Sequence, residues 1–245
     1  MPSPYQLLLR TRPGKKRAIF PFSASQDRAI IREFTAEETG RHEPAVLIVV
    51  ADGVSRCPDG GAVAEWIVHE KLNTDPIFQH PTMDLGGQLR SRILEFHLEF
   101  LECFRDDHRM LGSGCTLAAA LLYGSRGIVL WSGDSPAYHL QPKEGGGFSS
   151  QELIVADKDP YTGALTDCFS GLTSFSLRYQ TMRLNQGDIV IVATDGIVFS
   201  GEGLADSIVD QGFSDSWMEG VCQHSFESPR SDDIAIVAAR WIGPA

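Results

Sequence analysis

Residues 45–53 read Ala-Val-Leu-Ile-Val-Val-Ala-Asp-Gly, an unbroken apolar run that ends in an acid and a glycine. The run has the length and the β-branched content of a buried strand. Asp52 therefore stands at a buried strand end, where a carboxylate is costly unless something compensates its charge. The same grammar returns three times. Asp134 closes IVLWSGDS (128–135), Asp195 closes DIVIVATDG (188–196), and Asp232 precedes the last apolar run in SDDIAIVAARW (231–241). A single Asp-Gly is an ordinary turn. Four strand-end acids, far apart in sequence, point to strand ends that converge on cations. Ligation by oxygen alone favours Mg²⁺ or Mn²⁺ over zinc, which recruits His or Cys.

Around these strands the chain divides into blocks of β pattern interrupted by one block of helix. YQLLLR (5–10) and AIF (18–20), with Pro and Gly between them, suggest a hairpin, and its basic run RTRPGKKR reads as a solvated turn. Residues 27–34 and 44–51 read as strands. Gly60–Leu72 and roughly Leu85–Arg105 have helical spacing, with Leu94, Leu98 and Leu101 on one face of the second. The two are expected to form an antiparallel pair. TLAAALLY, GIVLWS and AYHL follow as short strands, and residues 145–171 read as an ordered surface loop or flap. Strands return at 174–184 and 188–194, helical pieces occupy Gly203–Phe226, and a strand closes the chain. The fold class expected is α+β, a central β-sandwich of two antiparallel sheets flanked by helices. No repeat, linker or low-complexity segment divides residues 1–245, so one domain is expected.

The bulk chemistry excludes some classes. A net charge of −11 and a pI near 5.0 argue against broad binding to a nucleic-acid backbone. No apolar stretch approaches the ~18 residues that span a bilayer, and no secretory leader opens the chain. Cys57, Cys103, Cys115, Cys168 and Cys222 are scattered without a C-x-x-C pair, the usage of free thiols in a reducing, cytoplasmic compartment. Cys115 reads as core. His69, His97 and His108 have no spacing partner that suggests a metal site. Cys57 lacks the C-x5-R pattern of a cysteine phosphatase, and no D-x-D-x-T motif marks an aspartyl-phosphate enzyme.

The blocks SQDR (25–28), VVADGVSRCPDGGAVA (49–64), GSGCTLAAALL (112–122), LWSGDSPAYHL (130–140), GDIVIVATDGI (187–197) and SDDIAIVAARW (231–241) resemble, in order, the metal-dependent protein phosphatases of type 2C, the PPM family. The short single-domain bacterial members are most similar, and the resemblance spans about residues 15–241. It implies a binuclear Mn²⁺ or Mg²⁺ centre, with a weaker third ion open. Asp52 would bridge two metals, the Gly53 carbonyl would add a ligand, Asp195 and Asp232 would complete the pair, Asp27 would stand close by, and Asp134 would belong to the third ion. Asp52 and Asp195 are the expected catalytic ligands of a metal-activated water that hydrolyses phosphoserine or phosphothreonine in proteins. Expected partners are phosphorylated proteins, in signalling opposed to a Ser/Thr kinase, with no nucleic acid and no membrane.

The departures from the family pattern are specific. Gln26 replaces the first acid of the 26–27 pair. Phe22 stands where the family carries a phosphate-gripping Arg, which leaves Arg17, Arg28 and Arg56 as candidates, Arg56 foremost because it follows Asp52 by four residues. Ser135-Pro136 replaces Ser-Arg, Phe199 replaces an acid that supports the third ion, and Asp233 replaces an Asn, where it adds charge or caps the turn. These losses favour an alternative, a weak pseudophosphatase that serves as a regulatory binding module. The intact set Asp27, Asp52, Asp195 and Asp232 opposes it.

Overall fold

In the computed structural model, Ala45–Ala51 forms strand β3, and all of its residues are buried. The structure describes residues 3–15, 25–41, 43–80, 83–172, 175–229 and 231–243. Val46, Ile48 and Val50 turn inward toward a second sheet, while Leu47, Val49 and Ala51 turn outward beneath helices. A strand covered on both faces needs no polar side, so its sequence is continuous rather than alternating.

β3 lies in a sheet of order β10 (Arg178–Arg183), β6 (Arg126–Ser132), β5 (Leu117–Tyr123), β3, β2 (Arg28–Phe34). The facing sheet has the order β1 (Tyr5–Arg12), β12 (Ile234–Trp241), β11 (Ile189–Ala193), β7 (Ala137–Pro142), β8 (Phe148–Glu152). Every pairing in both is antiparallel. A short ladder joins β4 (Gly114–Cys115) to β9 (Phe169–Ser170). The core between the sheets is built from β3, β5 and β6 on one side and from Val190, Val192, Ala235, Val237 and Ala239 on the other. This is the expected α+β sandwich of two antiparallel sheets flanked by helices.

Helix α1 spans Gly60–Glu65 and continues as a π-helical turn over Trp66–Leu72. Helix α2 spans Leu85–Cys103. They run antiparallel over the outer face of the β3 sheet: the Trp66 ring meets those of Phe100 and Phe104, Lys71 Nζ lies 2.7 Å from Glu99 Oε2, and Asp75 pairs with Arg92 at 3.1 Å. After the short α3 (His108–Leu111), helices α4 (Gly201–Gln211) and α5 (Asp215–Glu227) cover the outer face of the β11–β12 sheet.

Two details differ from the sequence expectation. The buried stripe of α2 is Leu89, Ile93, Phe96 and Phe100, not Leu94, Leu98 and Leu101. Leu98 is 66% exposed. Both sets have helical spacing, and the bulkier, aromatic one wins the core because it buries more apolar area. Residues 148–152, expected within a loop, form the edge strand β8. The side chains of β8 are half-buried or exposed, so the alternation that marks most strands is missing. β1 pairs along its length with β12, the last strand; the hairpin partner expected at 18–20 lies outside the described residues. His97 is satisfied away from any metal site, with Nε2 2.8 Å from the Ser170 carbonyl and its ring against Phe169 and Phe175. Cys115 is fully buried.

Candidate metal centre

The strand registers carry the acids to one place. Arg28 pairs with Ala51, so Asp27 and Asp52 leave the ends of β2 and β3 side by side. Thr116 at the entrance of β5 is bound to the same strand end: its N–H donates to the Asp52 carbonyl at 2.8 Å, and its hydroxyl accepts from the Asp52 N–H at 3.0 Å. In the facing sheet Ala193 pairs with Ile236, and the Thr194 N–H donates to the Ala235 carbonyl at 2.9 Å. Asp195 and Asp232 therefore leave β11 and enter β12 at the matching end. Ser135, just after Asp134, ties the sheets together, its hydroxyl 2.6 Å from that of Thr116.

Asp52, Asp134, Asp195 and Asp232 line one cleft of about 580 Å³, together with Arg56, Thr116, Lys158 and residues 162–165. Asp27 lies beneath it, 4% exposed, and its Oδ2 is buried with no hydrogen-bond partner. Gly53 sits in a bridge with Cys115 whose bonds come from its neighbours, Val54 N–H to the Gly114 carbonyl at 2.9 Å and Thr116 N–H to the Asp52 carbonyl. The Gly53 carbonyl is outside that pair of bonds.

The acids act on one another. Burial, then the charges of Asp27, Asp195 and Asp232, push the Asp52 carboxyl well above the ordinary range. Asp27 is pushed up to about 7, first by burial and further by Asp233 and Asp195. Asp195 is raised by desolvation in the cleft wall, then by Asp134 and Asp232. Among the described residues no three His, Cys, Asp or Glu side chains are preassembled in a metal-binding arrangement. The carboxylates share a cleft and an electrostatic field rather than a closed cage. An orphaned, buried carboxylate oxygen beside mutually destabilised acids is the donor set that a hard divalent cation satisfies. The residues present fit such an ion.

The remaining candidates separate. Asp233 caps: its Oδ1 accepts from Gly14 N–H at 2.8 Å and its Oδ2 from Gln26 N–H at 2.7 Å, while its charge still raises Asp27. It leaves no room for a side chain at residue 196, since a Cβ on Gly196 would come within 1.9 Å of the Asp233 carbonyl oxygen. Arg28 is committed elsewhere, to Glu65 and to the Ser25 and Asp27 carbonyls at 2.6 and 2.9 Å. Arg17 and Phe22 lie outside the described residues. Arg56 is exposed at the cleft wall. Phe199 packs under α4 and α5, its ring 4.9 Å from that of His224.

Two side chains at the cleft are unmarked in the sequence. Thr116 reads only as the polar start of an apolar strand. Lys158, in the segment 153–168 that lacks periodicity, places its Nζ 2.5 Å from Asp134 Oδ2. Only a loop crossing the mouth of the cleft could bring it there, and loop paths leave no periodic signal.

The protein phosphatase 2C family model matches residues 33–235. No curated protein matches the chain in sequence at a significant level. Among solved structures, a bacterial serine phosphatase superposes with a TM-score of 0.79 at 16% identity, over 98% of this chain and 99% of that one. The serine/threonine phosphatase Stp1 from Staphylococcus aureus gives 0.77 at 16% identity, over 96% of this chain and 94% of that one. The catalytic domain of the serine/threonine protein phosphatase PstP, in complex with two manganese ions, gives 0.72 at 16% identity, over 96% and 97%. At that identity the superpositions speak for the fold, and the family match over most of the sequence speaks for descent: the chain belongs to the protein phosphatase 2C family.

Proposed function

We propose that this phosphatase hydrolyses phosphoserine and phosphothreonine in proteins at a binuclear Mn²⁺ or Mg²⁺ centre held by Asp27, Asp52, the Gly53 carbonyl, Asp195 and Asp232. The observation that carries the reading is the acid cluster at the matching ends of two sheets, with Asp27 Oδ2 buried and unpartnered. When bound, divalent ions there would offset the charge of the phosphoryl group and acidify a water for in-line attack. The chain's own residues do the rest. Thr116 fixes the backbone of Asp52 from two sides. Asp233 holds the turn that carries Asp232 against the entry to β2. Asp52 and Asp195 are the catalytic ligands. The three apolar clusters share their strands, in keeping with residues 1–245 acting as one catalytic unit. Among the described residues no helix is long and apolar enough to cross a membrane. The free cysteines suit a cytoplasmic protein that opposes a Ser/Thr kinase.

Phosphopeptide and aryl-phosphate hydrolysis with added Mn²⁺, abolished by chelator, is the expected result. Absence of turnover with Mn²⁺ or Mg²⁺ bound would transfer the chain to the binding-module reading that Phe199 favours.

Arg56 is the proposed phosphate grip. A guanidinium binds a phosphate through two charged hydrogen bonds, and among the described residues Arg56 is the cleft-lining cation without an ion pair. Arg56→Ala should lower kcat/KM by roughly 1.5–3 kcal/mol, chiefly through KM. Steady-state kinetics equal to wild type would remove Arg56 from substrate binding.

A further inference from the structure

Gly133-Asp134 and Asp157-Lys158 dock on each other as two dipeptides. The Asp157 N–H donates to the Gly133 carbonyl at 2.9 Å, and the Gly133 N–H donates back to Asp157 Oδ2 at 3.0 Å. The Asp157 side chain is fully buried and is held on its other oxygen by Arg178 at 2.5 Å. With Asp157 fixed, the next residue has little freedom: Lys158 bridges to Leu165 and its ammonium pairs with Asp134. Thr162, Gly163, Ala164 and Leu165, the far side of the same loop, line the cleft. The loop thus delivers one positive charge to one carboxylate of the centre, and does so through a buried support, Asp157, hydrogen-bonded to Gly133 and ion-paired with Arg178.

That position is electrostatically inside the acid cluster. The charge of Asp134 raises the cost of ionising Asp195, and the ammonium of Lys158 also feels Asp195 and Asp52. Without Lys158, Asp134 would face Asp195 across the cleft with no counterion. Two hard oxygen donors so placed are what a further divalent ion would use. A cation tethered to the protein competes with free ions at high effective concentration.

We infer that Lys158 is a built-in cation that holds the Asp134 side of the cleft, so that the chain binds two divalent ions and no third. The inference rests on the binuclear reading above. Lys158 is a positioning residue: it fixes Asp134 and sets the metal count.

The test is equilibrium dialysis of the purified chain against Mn²⁺ with the bound metal counted by atomic emission. Lys158 is 42% exposed at its side chain, so Lys158→Met is expected to fold, which circular dichroism verifies. The expected counts are about two ions per chain for wild type, about three for Lys158→Met, about two again for Lys158→Arg, and about two for Lys158→Met combined with Asp134→Asn. A count of two for folded Lys158→Met overturns the inference, as does a count of three for wild type, and both leave the binuclear reading standing. A wild-type chain that binds no Mn²⁺ overturns the binuclear reading itself and this inference with it.

Discussion

Asp52→Ala should abolish Mn²⁺-dependent phosphatase activity and leave a folded protein that, without metal, is more stable than wild type. Asp52 is the acid on which the others converge: burial and the charges of Asp27, Asp195 and Asp232 all act against its ionised form. A carboxylate held in that position needs cations to neutralise it. Losing a residue that merely supports a metal ligand costs about 10–100-fold; losing the proposed shared ligand should cost more, by both metal affinity and turnover. The fold does not depend on the side chain. The backbone of Asp52 is held by Thr116, and the strand before it is fixed by its core residues. In the chelated protein the substitution removes a carboxyl whose ionised form is opposed by burial and by the charges of Asp27, Asp195 and Asp232, so the thermal midpoint should rise. Turnover near wild type at saturating Mn²⁺, or a chelated variant that melts below wild type, would contradict the assignment.

The fold was legible because its deciding strands are buried on both faces. Ala45–Ala51, Leu117–Tyr123 and Ile189–Ala193 are apolar throughout, and no other element of that length explains such runs. Elements with weaker burial were harder to read. β8 carries half-buried and exposed side chains at an edge. In α2 two helical stripes compete in the sequence, and only contact with Trp66, Phe169 and the outer face of the β3 sheet decides between them.

The centre was legible in its acids and illegible in its supports. Asp52, Asp134, Asp195 and Asp232 announce themselves because a strand must end on each. Asp27 was proposed from its place in the order of motifs, and the structure buries it beneath the cleft. Lys158 and Asp157 reach the site through a loop path, and Thr116 through strand register. These are relations between distant segments, which one-dimensional patterns do not encode. Arg28 shows the converse: adjacent to Asp27 in sequence, it is spent on Glu65 and on carbonyls.

In the metal-free protein, stability should fall as pH rises from about 5 to 7, and Asp27→Asn should flatten that dependence. Asp27 is raised from an ordinary 3.8 to about 7, first by burial. Between those values the native state keeps a proton that the unfolded chain has released. Unfolding then releases a proton, so the free energy of unfolding declines with pH, by about 1.4 kcal/mol per pH unit for each such group. The contribution is fully present below the unfolded value and is lost as pH passes through 7. Asp52, raised for the same reasons, adds in the same direction. An amide at residue 27 has nothing to titrate and no charge to bury, so the variant should exceed wild type at pH 7 while matching it more closely at pH 5. Divalent ions reverse the sign, because they bind the deprotonated carboxylates of the native state alone and stabilise it more as pH rises. Urea unfolding at pH 5, 6 and 7, in chelator and then in Mn²⁺, measures both slopes. If the difference between wild type and Asp27→Asn in chelator does not change with pH, Asp27 does not titrate in this window. If Mn²⁺ leaves the wild-type slope unchanged, the cleft holds no cation that competes with these protons.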